Sequence, residues 1–164
     1  MTKAILLGIF TLLTFTCQEN QETSEEIKIE TKLTVSDIEK IVLDKEKDAL
    51  NNWSNGSVLG YTKHFADDVV YIDDIAAHDG VSGLEAAQAY AKSIDSTGMI
   101  KKHNYELKNT RVQVVDNNAI LSLQYHPTSL DGTPGTSWKA SIVYSQRESE
   151  WKVIHANWSF YKKE

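Results

Sequence analysis

Four carboxylates crowd one short stretch of the chain, FADDVVYIDD at residues 65–74. Asp67 and Asp68 precede an apolar run from Val69 to Ile72, and Asp73 and Asp74 close it. Aspartates at strand ends do two kinds of work. Most shape turns, because the side chain hydrogen-bonds the backbone nearby. One at the mouth of an apolar pocket can act as a general base. Alternation along a strand sends successive side chains to opposite faces. Val69, Tyr71 and Asp73 therefore share one side, and Asp74 points to the other, toward solvent. Asp67 and Asp68 read as turn residues that end a helix. Further on, DIAAHDG (74–80) carries His78, an imidazole that could serve as acid or base beside Asp73.

Other chemistries find little support. The five histidines, His64, His78, His103, His126 and His155, form no H-x-H or H-E-x-x-H pair, so no metal site is expected. There is no glycine-rich phosphate loop, no G-x-S-x-G and no catalytic cysteine, and no cofactor is expected. The 17 Lys and Arg against 23 Asp and Glu leave a net charge of −6 with no basic cluster, which argues against a nucleic-acid surface.

The first residues read as an export signal. Lys3 precedes a twelve-residue apolar stretch, residues 4–15, too short to span a bilayer and suited to a secretory core. The single cysteine, Cys17, follows at once, and LLTFTC resembles the lipobox of bacterial lipoproteins. That resemblance implies a signal peptide over 1–16, lipidation of Cys17, and an exported protein held at the periplasmic or outer surface of a bacterium by its lipid alone. Residues 18–32 lack aromatics and are rich in Glu, Gln and Thr, the composition of a flexible tether. The tether segment, with Cys17, covers 17–33. One domain follows over 34–164, a length that can bury a real core.

Within it, the elements that must position Asp73 can be read from periodicity. Ser36 and Glu39 have capping-box spacing, and Ile38, Ile41, Val42, Ala49, Leu50 and Trp53 then share a helical face. Val58, Tyr61 and Phe65 mark a second, shorter helix. A third begins at Ser82 with Glu85 three residues on, carries Leu84, Ala87, Ala91 and Ile94, and stops at Gly98. After Gly98 the period falls to two. Strands are expected at about 102–115, 118–128, 136–146 and 151–161, joined by turns into an antiparallel run. One face collects Leu121, Leu123, Tyr125, Trp138, Ala140, Ile142, Tyr144, Ile154, Ala156, Trp158 and Phe160. The other is mildly polar, with Ser122, Gln124, His126, Ser141, Val153, His155 and Asn157, and suits either solvent or a wet interface between two copies. The first long strand lacks clean parity, which suggests a bulge. The fold class is α+β.

This order, with FADD turning into the first strand, Gly83 before the third helix and the closing WKVIHANWS, resembles the nuclear transport factor 2-like superfamily. Within it the chain is similar to the SnoaL-like and ketosteroid-isomerase-like branches and to the association domain of calcium/calmodulin-dependent kinase. The resemblance implies a strongly curved sheet wrapped around helices, a cone with a pocket inside, and frequent homodimers through the outer sheet face. It also implies a role for Asp73: in the isomerases the catalytic base follows the second Asp of the same turn by five residues. Two departures stand beside this. An ungapped count puts Ala49 where the isomerases place an oxyanion-stabilising Tyr on the first helix, and no acid lies near Trp138 for their second donor. Three readings stay open. One is a binding protein holding a small apolar or aromatic ligand between Tyr71, Tyr125, Trp138 and Trp158. Another is an isomerase or lyase using Asp73 with His78 or Tyr125. The third is an interaction module with a vestigial pocket.

Overall fold

The computed structural model describes residues 33–75 and 79–161. The export signal, Cys17, most of the tether and His78 lie outside the described residues. Helix α1 spans Val35–Ser54. Its capping box lies two residues before the expected one. Thr34 Oγ1 accepts from the Asp37 amide at 3.2 Å, and Asp37 Oδ2 accepts from the Thr34 amide at 3.0 Å. Thr with Asp does the same reciprocal work as Ser with Glu, so Ser36 is left inside the first turn.

Helix α2, Val58–Tyr61, is one turn long and could not persist alone. Asp95, from the third helix, holds its start: Val58 N–H donates to Oδ1 at 2.7 Å and Leu59 N–H to Oδ2 at 3.1 Å. A 3-10 turn over Thr62–His64 then enters strand β1, Phe65–Asp73. Phe65, expected on the helical face, is the first strand residue.

Strand β1 pairs in parallel with the last strand, β6 (Glu150–Phe160). Phe65 is opposite Val153 and Val70 opposite His155, so five steps along β1 match two along β6. Asp67 and Asp68 occupy this bulge rather than a helix end. Asp68 pairs with Arg147 at 2.9 Å on the surface. A two-residue strand, β2 (Val81–Ser82), adds antiparallel to the other edge of β1 and was not expected from sequence. It takes Ser82 away from helix capping. Helix α3, Leu84–Thr97, starts instead at Gly83, whose φ of +89° suits glycine and few other residues.

Strands β3 (His103–Val115), β4 (Asn118–Ser129) and β5 (Trp138–Arg147) complete a mixed sheet of order β2-β1-β6-β5-β4-β3. The sheet stays open and wraps the helices as a cone, an α+β fold. The missing parity of β3 has its cause at a register shift between Lys108 and Arg111, where Asn109 takes φ +50°. A second bulge, on β6, overturns one face assignment. Val143 pairs with His155 but Tyr144 with Val153, so Ile154 is skipped. Val153 therefore enters the core, at 2% exposure, in place of Ile154. Leu121, Leu123, Tyr125, Ala140, Ile142, Tyr144, Ala156 and Trp158 are buried on the expected face. Phe160 shares that face but lies at its open end, 41% exposed.

Asp95→Ala should leave two α2 amides without their charged acceptor. The expected loss is about 1–3 kcal/mol in urea unfolding, with the slope unchanged. An unshifted urea midpoint would show that α2 docks without this clamp.

Candidate functional site

Asp73 closes β1 and is 4% exposed. Among its hydrogen bonds, the Tyr90 hydroxyl from α3 lies 2.8 Å from Oδ1 and 2.9 Å from Oδ2, and the Ile75 amide donates to Oδ1 at 2.9 Å. The Tyr71 phenol bonds it as well, and burial together with this carboxylate pushes Tyr71 well above the ordinary phenol range. Donors from two elements and the following loop thus hold a carboxylate that would otherwise be costly to bury. The expectation that Asp73 faces inward beside Tyr71 is met. Asp74 points outward, and its Oδ2 accepts from the Phe160 amide at 2.8 Å.

Asp73 lines a small cavity with Leu50, Trp53, Tyr61, Tyr71, Ile75, Tyr125, Trp138 and Trp158. All four residues expected to bind a ligand, Tyr71, Tyr125, Trp138 and Trp158, stand in its wall. The space between them is about 20 Å³. That admits about one water and falls far below the roughly 150 Å³ that takes up benzene. The rings fill most of the cone. Tyr61 meets Trp53, Phe65 and Trp158 edge-on, with centroids 5.7–5.9 Å apart. A wider basin of about 360 Å³ opens outside this cavity and shares Trp53, Tyr125 and Trp138 with it.

Tyr125 stands between the two spaces. It is 2% exposed and stacks on Tyr105 at 4.9 Å. Its hydroxyl lies 2.6 Å from His103 Nε2, and His103 Nδ1 lies 2.7 Å from the Lys101 carbonyl. A carbonyl only accepts, so Nδ1 carries the proton, and in the neutral ring Nε2 accepts from Tyr125. His103 takes a place beside Tyr125 that the sequence did not suggest. No group of three or more His, Cys, Asp or Glu residues suited to a metal ion occurs among the described residues.

A model of the SnoaL-like domain matches residues 47–162. The chain belongs to the SnoaL-like domain family. Solved structures share the fold. An NTF2-like protein of unknown function from Pseudomonas putida superposes with a TM-score of 0.66 at 21% identity, over 76% of this chain and 87% of that one. A provisionally assigned ketosteroid isomerase from Parabacteroides distasonis gives 0.65 at 23% identity, over 76% and 89%. An NTF2-like protein from Cytophaga hutchinsonii gives 0.58 at 18%, over 79% and 100%. No curated protein matches the chain.

Behind the cavity, this SnoaL-like domain buries a second carboxyl that the sequence reading passed over. Glu46, on α1, is 1% exposed. Tyr61 donates to Oε1 at 3.0 Å and Tyr144 to Oε2 at 2.7 Å. Trp158 Nε1–H donates to the Tyr61 oxygen at 2.9 Å. The chain Trp158–Tyr61–Glu46–Tyr144 thus joins the cavity wall to α1 and β5. A signal was present: Glu46 lies four residues after Val42 and three before Ala49, on the apolar stripe itself. Tyr90 gave a similar one, three residues after Ala87 and four before Ile94.

Burial raises the Glu46 pKa from 4.5 to about 7, against the opposing pull of the two tyrosine hydrogen bonds. The folded state therefore binds this proton more tightly than the unfolded chain. Stability should fall as pH rises through the window from about 4.5 to about 7, by roughly 3 kcal/mol from this group. Glu46→Gln stays neutral at every pH. It should match wild type at the acid end of the window and exceed it above, as read by urea unfolding across pH. Parallel pH profiles for the two chains would remove Glu46 from the account.

Proposed function

We propose that this domain binds a small molecule with a flat apolar body and a hydroxyl- or amine-bearing tip. The body lies in the outer basin between Trp53, Tyr125 and Trp138. The tip, a single heavy atom, enters the inner cavity and meets Asp73. The observation that carries this reading is the buried Asp73 carboxylate in the wall of an aromatic-lined cavity. Pockets of this kind take affinity from apolar surface and orientation from a few placed polar groups. The small inner volume sets the division, because a whole ring cannot enter it.

An isomerase or lyase is the second reading, and the Tyr125–His103 pair favours it, since a phenol backed by an imidazole can pass a proton. Against it, Ala49 stands on α1 where the isomerases place an oxyanion-stabilising Tyr, so a base at Asp73 would lack that electrostatic partner. Binding is therefore the better-supported role.

2-Naphthol, a flat body with one hydroxyl, is a suitable probe, and the tryptophans report its arrival by fluorescence. Asp73→Asn should weaken it by about tenfold, the loss of a hydrogen bond to a charged group, while urea unfolding still shows a cooperative fold. Equal binding by the variant would remove Asp73 from the site. 2-Tetralone, a ketone of the same shape, should show no catalysed exchange of its α-protons in deuterated water; exchange that Asp73→Asn abolishes would replace the binding reading with the enzymatic one.

The same proposal includes location. LLTFTC and the acidic residues after it support an exported chain lipidated at Cys17, with the domain displayed on a tether. Cys17→Ala should move the protein from the membrane fraction to the soluble one. A wild-type chain found soluble with an unmodified Cys17 thiol would end that part of the reading.

A further inference from the structure

The outer basin has a charge of its own. Lys101 and Lys102 both line it, at the entry to β3, and Ser129 and Thr136 add hydroxyls. No Asp or Glu stands among its described lining residues, although the chain as a whole carries a net charge of −6. His103 lies there too, but both its ring nitrogens are engaged, one by Tyr125 and one by the Lys101 carbonyl. The positive charge of the basin therefore rests on the two lysines. Both are exposed at the rim of a concavity walled by Trp53, Pro127 and Trp138, with Lys101 Nζ near Gly98 at the end of α3.

From this we infer that the ligand carries an anionic group, a carboxylate, at the end opposite its donor tip. The inference rests on the binding reading above and deepens it. The two ends of the site have opposite electrostatic demands. Asp73 in the inner cavity accepts hydrogen bonds and repels an anion. Lys101 and Lys102 in the basin attract one. A molecule with a hydroxyl at one end, a flat apolar body and a carboxylate at the other satisfies both and fits in only one direction. The class is that of hydroxylated aromatic or alicyclic acids.

A matched pair of probes separates this inference from the reading beneath it. 6-Hydroxy-2-naphthoate is 2-naphthol with a carboxylate added at the far end. The acid should bind wild type about tenfold more tightly than the naphthol. That advantage should vanish in the double variant Lys101→Gln/Lys102→Gln and shrink in high salt, because exposed charges are screened. Naphthol binding should change in neither case. Both lysines are exposed, so the double variant should fold, which its urea midpoint checks. Equal binding of the two compounds by wild type, or an advantage that survives the double variant, overturns the anionic end while leaving the pocket standing. If neither compound binds, the pocket reading falls and the inference falls with it.

Discussion

A single buried carboxyl ties this domain together. Glu46 receives Tyr61 on one oxygen and Tyr144 on the other, and so links α1 to the single turn of α2 and to β5. Its two partners are 15 and 98 residues away in sequence. Each phenol is pushed well above its ordinary range by burial first and by the Glu46 charge second. Both hydroxyls thus keep their protons and serve as donors. Removing one partner would leave a buried polar group unsatisfied, which costs more than the bond itself contributes. That asymmetry makes such a network specify one arrangement of helix against sheet.

The arrangement sets the shape of the cavity. Tyr61 cannot turn away from Glu46 without losing its bond, so its ring edge faces Trp158 and Trp53 in fixed positions. Trp158 in turn is pinned through its indole N–H and meets Tyr125 at 6.1 Å. Edge-on aromatic contacts of this kind are favourable beyond the area they bury. The cone is therefore narrow because its wall is ordered from behind. The inner space is small, and what remains open is the basin beyond Trp138. A static wall and an open outer basin favour a ligand that touches the interior with one group over one that is swallowed whole.

Much of this was legible in the sequence, for reasons that differ by element. The β3–β6 meander showed because its strands alternate over long runs and its turns carry Asp116 and Glu148, both at positive φ. Tyr71, Asp73, Tyr125, Trp138 and Trp158 were placed together by alternation and by the family resemblance. The failures cluster where backbone geometry departs from regular periods. The β6 bulge at Ile154 and the wide bulge around Asp67 and Asp68 change parity without leaving a mark in composition. β2 is too short to show a period. Glu46 and Tyr90 were missed for another reason. Each lies on or beside an apolar stripe, but a search for apolar residues skips the polar ones among them, and those are the ones with work to do.

Two carboxyls lie inside this domain, and their neighbours assign them different tasks. Glu46 is buried behind Tyr61, lines neither the inner cavity nor the outer basin, and meets phenols whose own positions it fixes. Asp73 sits at the end of a strand, beside a loop, with its side chain in the cavity wall. Its donors come from Tyr71, from Tyr90 across on α3 and from the amide of Ile75. The strand end is the place where a chain can present a carboxylate to a pocket while the ladder behind it stays paired, since Asp73 still registers with Trp158 on β6. Asp74, one residue on, lies on the opposite face and caps the Phe160 amide. The pair Asp73–Asp74 thus divides between pocket and edge by strand alternation alone. Asp67 and Asp68, of the same residue type and only a few positions earlier, lie exposed in a bulge, away from the aromatic wall around Asp73. Position relative to the ladder, more than residue type, separates the one acid that faces the cavity from the three that do not.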